Sequence, residues 1–311
     1  MTRPVILVLG GGGMLGHKLA QVLGGSDDLD VHVTVRSRVP AAFAARAVTY
    51  HSGVDLGGGA DAVRVVVERL GPDVVIHAVG AIKHRDLASR IDETFAVNAT
   101  LPHLLALLNP NPNARVIQIS TDCVYTGSRG GYRESDPPDA LDLYGRSKAC
   151  GEVTYGRHLT LRTSMIGFEI ANHLGLLSWF LAQPTRAVLR GYTAAVFSGL
   201  PTVTLGRLIR ALILEHRRLA GLYHVASEPI TKYDLLRRLD RAFGLGHEIV
   251  PDDGVRVDRS LDGDRLRAAI GFVPPSWDTL ISDLQEDFGA WPYAGVYDRL
   301  RASALETART A

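Results

Sequence analysis

The sequence predicts an α/β fold in which a doubly wound parallel sheet is followed by a smaller second α/β domain. Three observations support this prediction. Short apolar runs alternate with helical patterns through the first half of the chain, these runs are apolar throughout, and the first of them leads into four consecutive glycines. Strands without polar alternation are typical of a parallel sheet that helices cover on both faces. Such sheets bind ligands at the carboxyl ends of their strands.

The elements of the first half follow one another in strand–helix order. The strand VILVL precedes the helix MLGHKLAQVL, the second and third strands are VHVTV and VTYHSGV, and the helix ADAVRVVVERL ends at Gly71 and Pro72. Further strands are predicted at VVIHAVG, RVIQIS and LTLRT, with helices through IDETFAVNATLPHLLALL and from YGRSKACGEVTYG between them.

The pattern loosens after Thr163. GLLSWFLAQ is predicted to be helical, RAVLRGY extended, and TLGRLIRALILEHRRL an amphipathic helix that leads to a last strand, GLYHVAS. The tail mixes short helices, such as TKYDLLRRLDRAFGL, with loops rich in proline and aspartate. We therefore assign residues 1–165 and the returning segment 200–226 to the sheet domain, and residues 166–199 and 227–311 to the second domain.

Composition excludes several classes of function. The net charge of +1 over 311 residues offers no general attraction to nucleic acid or to an anionic membrane. No apolar run approaches the roughly 20 residues that a membrane helix needs, and the short run after Arg3 lacks the cleavage pattern of a signal peptide. Two cysteines, Cys123 and Cys150, fit a reducing compartment, so we expect a cytoplasmic protein. The eleven histidines form no metal-binding spacing, and no metal is predicted.

The glycine-rich turn between the first strand and the first helix is a predicted phosphate site. Backbone N–H groups and the positive end of a helix dipole converge there, and glycine lets the backbone approach a pyrophosphate closely. Gly11, Gly13 and Gly16 fit the spacing G-x-G-x-x-G, whereas Gly10, Gly13 and Gly16 fit G-x-x-G-x-x-G equally well. The turn alone leaves the choice open. Met14 and Leu15 lie between the last two glycines and are included in the predicted cofactor site.

The residues after the second strand favour NADP(H) over NAD(H). An acidic side chain at this position would bind the ribose 2′-hydroxyl of NAD. Here the strand is followed by Arg36 and Arg38, whose guanidinium groups suit a 2′-phosphate. Asp55 and Leu56, after the third strand, are candidates for contact with the adenine.

Tyr144 and Lys148 form a candidate catalytic pair. They are four residues apart at the start of a predicted helix, so they share one face. A nearby ammonium group is expected to lower the pKa of the tyrosine toward the operating pH. Thr121, at the end of a strand, could hydrogen-bond the carbonyl oxygen that Tyr144 protonates while a hydride from the nicotinamide attacks the carbonyl carbon.

With these motifs together, the sequence resembles the extended short-chain dehydrogenase/reductase superfamily, and within it the dTDP-4-dehydrorhamnose reductase-like branch of sugar-nucleotide reductases. The resemblance covers nearly the whole chain and includes HAVG, VNATLP, STDCVYTG, YGRSK, LRTSMIG, GLYHVASEPITKYDLL and DRSLDGDRLR. It implies a Rossmann fold of the extended type and sets the register at Gly10, Gly13 and Gly16, which leaves Gly11 and Gly12 as variable positions. It also implies that Lys148 holds the nicotinamide ribose, with further cofactor contacts from Ala78, Val79, Gly80, Asn98 and Ser120. For Asn98, a buried asparagine bonded to the backbone is an equal alternative.

The residues after Thr121 narrow the chemistry that the resemblance implies. Sugar-nucleotide 4,6-dehydratases carry Thr-Asp-Glu there, whereas this chain has Asp122 and Cys123, so the base for dehydration is missing. Reductases of the rhamnose type carry an aromatic residue where Cys123 stands, which leaves the exact substrate open.

Several residues are candidates for contact with a nucleoside diphosphate-sugar. Lys83 and His84 follow the fourth strand, and Arg259 is the candidate for the diphosphate by similarity to the family. Trp179 is a further candidate, with ordinary core packing as the favoured interpretation. The predicted substrate set also includes Asp122, Cys123 and Thr163, with Arg162, Ser164 and the segment Phe197–Gly199 as neighbouring candidates.

The sequence thus predicts an NADPH-dependent reductase that acts on a keto group, expected at C4, of a nucleoside diphosphate-linked deoxysugar. Two alternatives remain. A 4-epimerase on the same scaffold would retain NAD(H), and a regulatory subunit would bind NADP(H) without turnover. Dimers are common in this superfamily, and the sequence leaves the oligomeric state open.

Overall fold

A seven-stranded parallel sheet forms the centre of the protein in the computed structural model, which describes residues 3–58, 61–81, 90–170 and 173–310. Its strands are β1 (Val5–Leu9), β2 (Asp30–Val35), β3 (Val48–Ser52), β4 (Val74–His77), β5 (Arg115–Thr121), β6 (Leu159–Thr163) and β10 (Gly221–Val225). Their order across the sheet is β10-β6-β5-β4-β1-β2-β3, and every neighbouring pair is parallel. The predicted fold class is confirmed.

The order of the strands creates a crevice between β1 and β4. The chain runs outward from β1 to β3, and then returns to the other side of β1 to continue with β4, β5 and β6. At such a reversal the loops after the two strands lead away from each other, and the space between them receives the ligand. The last four residues of β1, Ile6 to Leu9, are fully buried, so the crevice lies directly above the core.

Helices cover both faces of the sheet and extend into the C-terminal half. They are α1 (Met14–Gly24), α2 (Asp61–Leu70), α3 (Ile91–Phe95), α4 (Leu101–Leu108), α5 (Leu143–Cys150), α6 (Leu176–Leu181), α7 (Thr202–Leu214), α8 (Lys232–Phe243), α9 (Asp264–Ile270), α10 (Trp277–Ala290) and α11 (Tyr293–Thr310). In the described part of the chain, no helix is both long and apolar enough to cross a membrane.

The helix predicted through IDETFAVNATLPHLLALL is interrupted by a π-helical turn. This turn covers Ala96–Thr100 and connects α3 to α4. Pro102 supplies the physical reason, because a proline has no N–H to donate to the carbonyl of Asn98 in a regular α-helical bond. Asn98 lies in the middle of this turn and is fully buried.

A second, three-stranded sheet stands beside the large one. Its order is β11-β8-β12, from β8 (Val188–Phe197), β11 (Ile230–Thr231) and β12 (Glu248–Asp258), and a short pair joins β7 (Met165–Ile166) to β9 (Leu200–Pro201). The eleven-residue β12 is a correction to the predicted tail of short helices and loops. Its sequence, EIVPDDGVRVD, contains residues that disfavour strands, and its pairing with β8 shifts register between Asp252 and Arg256.

Candidate active site

A cleft of about 660 Å³ opens at the carboxyl ends of the sheet strands. Its walls come from the turn after β1, the loops after β2, β3 and β4, the end of β5, the first turns of α5 and the segment after β6. Predicted site residues that line it are Gly10, Gly13, Met14, Leu15, Arg36, Arg38, Asp55, Leu56, Ala78, Val79, Gly80, Ser120, Thr121, Asp122, Cys123, Tyr144, Lys148 and Thr163.

The glycine turn has little space for side chains. Gly10 has a φ of +94°, which disfavours any residue with a Cβ. A Cβ on Gly16 would stand 1.9 Å from the carbonyl oxygen of Gly10, so α1 can pack this closely only with glycine there. The prediction that Gly11 is a variable position is wrong, because a Cβ there would lie 2.2 Å from the Val33 side chain. Gly12 has open space around its Cα, as expected of a variable position.

The loops after β2 and β3 form the far end of the cleft. Arg36 and Arg38 are both exposed, and within the described residues neither takes part in an ion pair. Asp55 accepts a hydrogen bond from the backbone N–H of Gly57 at 3.1 Å. Two cationic side chains with no carboxylate partner there provide the positive charge that a phosphate group would need.

Thr121, Tyr144 and Lys148 meet where β5 ends and α5 begins. Thr121 Oγ1 donates to Asp122 Oδ1 at 3.1 Å and accepts from the backbone N–H of Cys123 at 3.1 Å. The Tyr144 phenol lies close enough to this hydroxyl for Thr121 to oppose the rise that burial causes in the pKa of the phenol. Lys148, one turn further along the helix, is buried and donates from Nζ to the carbonyl oxygen of Ile119 at 2.6 Å.

Local sequence explains why α5 approaches β5 so closely. Asp142 caps the helix by accepting from the N–H of Gly145 at 2.8 Å. A Cβ on Gly145 would stand 2.2 Å from the carbonyl oxygen of Cys123, so the glycine lets the first turn of α5 lie directly against the Thr121–Cys123 turn.

The electrostatics of the pair differ from the sequence prediction. Burial raises the pKa of Tyr144, neighbouring Cys123 and Asp122 raise it further, and the Thr121 hydroxyl opposes this rise. Burial also lowers the pKa of Lys148 to about 8, against the opposing effect of Glu152. The predicted lowering of the tyrosine pKa is therefore wrong for this structure, because loss of solvation on burial is the largest influence on the phenol.

Asn98 does not line the cleft, and its side chain hydrogen-bonds the backbone of the loop after β4. Its side-chain Oδ1 accepts from the N–H of Ala81 at 2.9 Å, while Nδ2 donates to the Ala81 carbonyl at 3.2 Å and to Ser147 Oγ at 3.0 Å. It thereby ties the loop after β4 to α5. This geometry matches the alternative of a buried asparagine bonded to the backbone.

The predicted substrate residues fall into different places. Thr163 lines the cleft, although its hydroxyl already donates to the Val225 carbonyl at 2.8 Å. Trp179 and Arg259 lie outside the lining of the cleft; Trp179 is 39% exposed, so its predicted core packing is wrong. Arg259 donates to the Tyr125 carbonyl at 2.8 Å, and its charge opposes the rise that burial causes in the pKa of Asp122. Lys83 and His84 lie outside the described residues.

A buried polar network behind the cleft was not predicted as a unit. Arg162 forms a two-pronged ion pair with Glu152, through Nε to Oε1 and Nη2 to Oε2, each at 2.7 Å. The same Oε1 accepts from Ser120 at 2.7 Å. Arg162 was a candidate for substrate contact, but it lies outside the cleft lining and its charge is satisfied by Glu152. Glu152 lies four residues after Lys148, just beyond the end of α5, and this closeness in sequence is the signal that could have drawn attention to it.

The segment after β7 also contributes to the cleft without having been predicted. Glu169, Ile170 and Leu174 line it, as do Arg90, Glu93 and Thr94 near the start of α3. Glu169 accepts from the N–H of Gly175 at 2.7 Å. No short motif marks these residues, so only their position in the fold identifies them.

Comparison with known proteins agrees with this geometry. A family model described as the RmlD substrate binding domain matches residues 3–288. A dTDP-4-dehydrorhamnose reductase from Aggregatibacter actinomycetemcomitans is 26% identical over 305 residues, covering 90% of this chain and 98% of that protein. Methionine adenosyltransferase 2 subunit beta from Danio rerio is 30% identical over 199 residues, 60% of each chain, so the aligned part spans less than two thirds of that relative.

Solved structures share the fold. The dTDP-4-dehydrorhamnose reductase from Bacillus anthracis, determined in complex with NADP, superposes with a TM-score of 0.76 at 19% identity, covering 92% of this chain and 100% of that one. At this identity the similarity establishes the architecture, and the chemistry has to be argued from the residues of the cleft.

Proposed function

Because the chain belongs to the RmlD substrate binding domain family, we propose that it is an NADPH-dependent reductase of a keto group, at C4, on a nucleoside diphosphate-linked deoxysugar. One observation carries this proposal. Thr121, Tyr144 and Lys148 line the same wall of the cleft, with Lys148 one helical turn after Tyr144. A hydroxyl pair backed by a lysine is suited to hold and protonate a carbonyl oxygen.

The cofactor end of the cleft fits a dinucleotide. A Cβ at Gly10 would stand 2.5 Å from the Val79 side chain and one at Gly16 would stand 1.9 Å from the Gly10 carbonyl oxygen, so glycine lets the turn pack tightly between the loop after β4 and α1. The backbone N–H groups at the start of α1 are suited to a phosphate. The N-terminus of α1 would hold the pyrophosphate, and Arg36 and Arg38 would pair with the 2′-phosphate. Bound NADPH supplies the hydride for the reaction.

The proton for the carbonyl oxygen comes from Tyr144 in this proposal. Since burial holds the pKa of Tyr144 above its ordinary value, the phenol is protonated at neutral pH and ready to donate. Donation leaves a phenolate, which the Lys148 ammonium stabilises until solvent returns the proton. Thr121 orients the phenol and the carbonyl oxygen. The raised pKa keeps the proton on the phenol but makes the phenol a weaker acid, so the proton transfer has to accompany hydride attack, which makes the carbonyl oxygen basic.

The substrate is proposed to lie between the sheet domain and the second domain, with residues 166–199 and 227–311 enclosing the sugar nucleotide. Asp122, Cys123 and Thr163 line the cleft beside Tyr144. No glutamate follows Asp122, so the site lacks the base that a dehydratase would use at this position. Arg259 lies outside the cleft lining, and we propose that it reaches the diphosphate because its charge acts on Asp122, which lines the cleft.

The decisive experiment is NADPH oxidation with a panel of dTDP-, UDP- and GDP-linked 4-keto sugars. We expect turnover with one of them, and we expect Tyr144→Phe to reduce kcat by about 10²- to 10⁴-fold while binding NADPH as before. Wild-type turnover by Tyr144→Phe would contradict the mechanism. NADPH binding without turnover of any sugar would favour a regulatory subunit, and NAD(H) retained through purification would favour an epimerase.

A further inference from the structure

Two tyrosines at the start of α11 are fully buried, although they lie beyond the part of the chain that the family model matches. The match ends at residue 288, and Tyr293 and Tyr297 are each 0% exposed. Burying a tyrosine hydroxyl requires a hydrogen-bond partner. The partners of both hydroxyls belong to segments that build the cofactor end of the cleft.

Tyr293 reaches the glycine turn through His17. Tyr293 OH is 2.8 Å from His17 Nε2, and His17 Nδ1 is 2.8 Å from the carbonyl oxygen of Gly13. Burial lowers the pKa of His17 to about 4, so the ring is neutral and carries one N–H. A carbonyl can only accept, so the proton is on Nδ1 and Nε2 accepts from Tyr293. This relay fixes the Gly13–Met14 peptide, whose N–H is antiparallel to its C=O and turned away from His17.

The ring of Tyr293 also packs against two other segments of the cofactor end. It stacks on Phe168 at 4.5 Å between centroids and lies 5.1 Å from Phe43. Phe43 ends the short helical turn that follows Arg36 and Arg38, and its carbonyl accepts from the side chain of Gln21 on α1 at 3.3 Å. One residue of α11 therefore touches the support of the glycine turn, the arginine loop and the segment after β7.

Tyr297 holds the segment after β7. Its hydroxyl accepts from the N–H of Glu169 at 3.2 Å and is 2.8 Å from Ser178 Oγ. Glu169 lines the cleft and accepts from the N–H of Gly175. Gly175 lies against the side chain of Met14, the first residue of α1, since a Cβ there would be 2.6 Å from Met14 Cε. Tyr297 of α11 therefore positions Glu169 and, through it, Gly175 in the wall opposite the pyrophosphate site.

The corner between α10 and α11 is anchored to α1. Lys18 Nζ donates to Asp287 Oδ1 at 2.5 Å, and both side chains are almost fully buried. The ammonium also lies 5.7 Å from the ring centroid of Trp291 and 5.2 Å from that of Tyr293. This anchor sets α11 in register with the helix that carries the glycine turn.

We propose that Tyr293 and Tyr297 are positioning residues for the cofactor, which preorganise the glycine turn, the arginine loop and the wall formed by Glu169 before NADPH binds. The inference rests on the proposed function, because it assumes that this end of the cleft receives NADPH. It assigns a role to a C-terminal helix outside the matched domain. Neither tyrosine lines the cleft, so each acts through the residues that do.

The test measures the equilibrium Kd for NADPH, without any sugar, in Tyr293→Phe, Tyr297→Phe and the control Tyr155→Phe. Tyr155 bonds His103 on the surface, away from the cleft. We expect each of the first two variants to raise Kd by about tenfold, the effect of one hydrogen bond, while kcat at saturating NADPH stays near that of the unmodified protein. The control should leave Kd unchanged.

A double-mutant cycle separates positioning from general destabilisation. In a His17→Phe background the relay is already broken, so Tyr293→Phe should change Kd no further. An equal rise of Kd in both backgrounds, or a lower Tm with Kd unchanged, would overturn the inference alone. An unmodified protein that binds no NADPH would overturn the proposed function and this inference with it.

Discussion

Lys148 donates a hydrogen bond from Nζ to the main-chain carbonyl of Ile119, while Tyr144, one turn earlier on the same helix, lines the same cleft as Thr121. Lys148 is therefore fixed to the strand that ends in Thr121, and the helix and the strand cannot shift independently. Burial lowers the pKa of Lys148 to about 8, which makes its charge sensitive to pH in the ordinary working range.

The rate of reduction should fall as pH rises through about 8. Burial lowers the pKa of Lys148 to about 8, so the ammonium is present below that pH and lost above it. Tyr144, with its raised pKa, remains protonated over the same range. A profile of kcat against pH from 6 to 10 checks this. A flat profile up to pH 10 would show that the charge of Lys148 does not assist the proton transfer.

Replacing Lys148 with methionine should abolish turnover and stabilise the fold near neutral pH. The folded-state pKa lies below the ordinary value of 10.5, so keeping the charged form buried costs folding free energy. The cost is complete below pH 8 and disappears as pH rises toward 10.5. We expect Lys148→Met to be roughly 1–3 kcal/mol more stable at pH 7, measured by urea unfolding. A variant that is equally destabilised at pH 7 and pH 10 would contradict this.

Arg36 and Arg38 should determine the preference for NADPH over NADH. Without an ion-pair partner among the described residues, their charges are available for a 2′-phosphate. Replacing both with alanine should raise the Kd for NADPH by about 10- to 100-fold and leave that for NADH within about twofold. Arg46→Ala is the matched control, since Arg46 is exposed and lies outside the cleft lining. Equal losses for both cofactors would refute the assignment.

Removing one partner of the ion pair Lys18–Asp287 should strongly lower the free energy of unfolding. Both side chains are at most 5% exposed, so a single substitution leaves an uncompensated buried charge. Asp287→Asn or Lys18→Met should cost about 3–5 kcal/mol in the free energy of unfolding, and the double variant Lys18→Met/Asp287→Leu should recover most of it. The exposed pair Arg238–Asp278 is the control, and Arg238→Ala should cost under about 1 kcal/mol.

The sequence was sufficient to predict the parallel sheet and the positions of the motifs. The features that it did not predict have physical reasons. Apolar runs such as VILVL and RVIQIS predict buried strands because both faces of a parallel sheet are covered. By contrast, β12 carries proline, glycine and acidic residues and is largely exposed, so its sequence lacks that signal. The direction of the pKa shift at Tyr144 was also not predicted. The four-residue spacing shows that a lysine is near in the helix, but it does not show that the phenol is buried.

Long-range contacts account for the remaining differences. Gly11 looked replaceable because the spacing of the motif omits it, yet the Val33 side chain on the next strand occupies the space that a Cβ would need. Arg162 was predicted to contact the substrate, but in the structure its charge is paired with that of Glu152. Tyr293 and Tyr297 carry no motif, and their partners lie more than a hundred residues away in the chain. Such contacts depend on how elements pack, which local sequence does not encode.

One consequence follows from the glycine at the first turn of α5. A Cβ on Gly145 would stand 2.2 Å from the Cys123 carbonyl, so even alanine would drive the helix back by about 1 Å. A displacement of that size between reacting groups can cost two orders of magnitude in rate. In the proposed mechanism, the absence of a side chain at residue 145 therefore sets how closely the Tyr144 phenol can approach the carbonyl oxygen that it protonates.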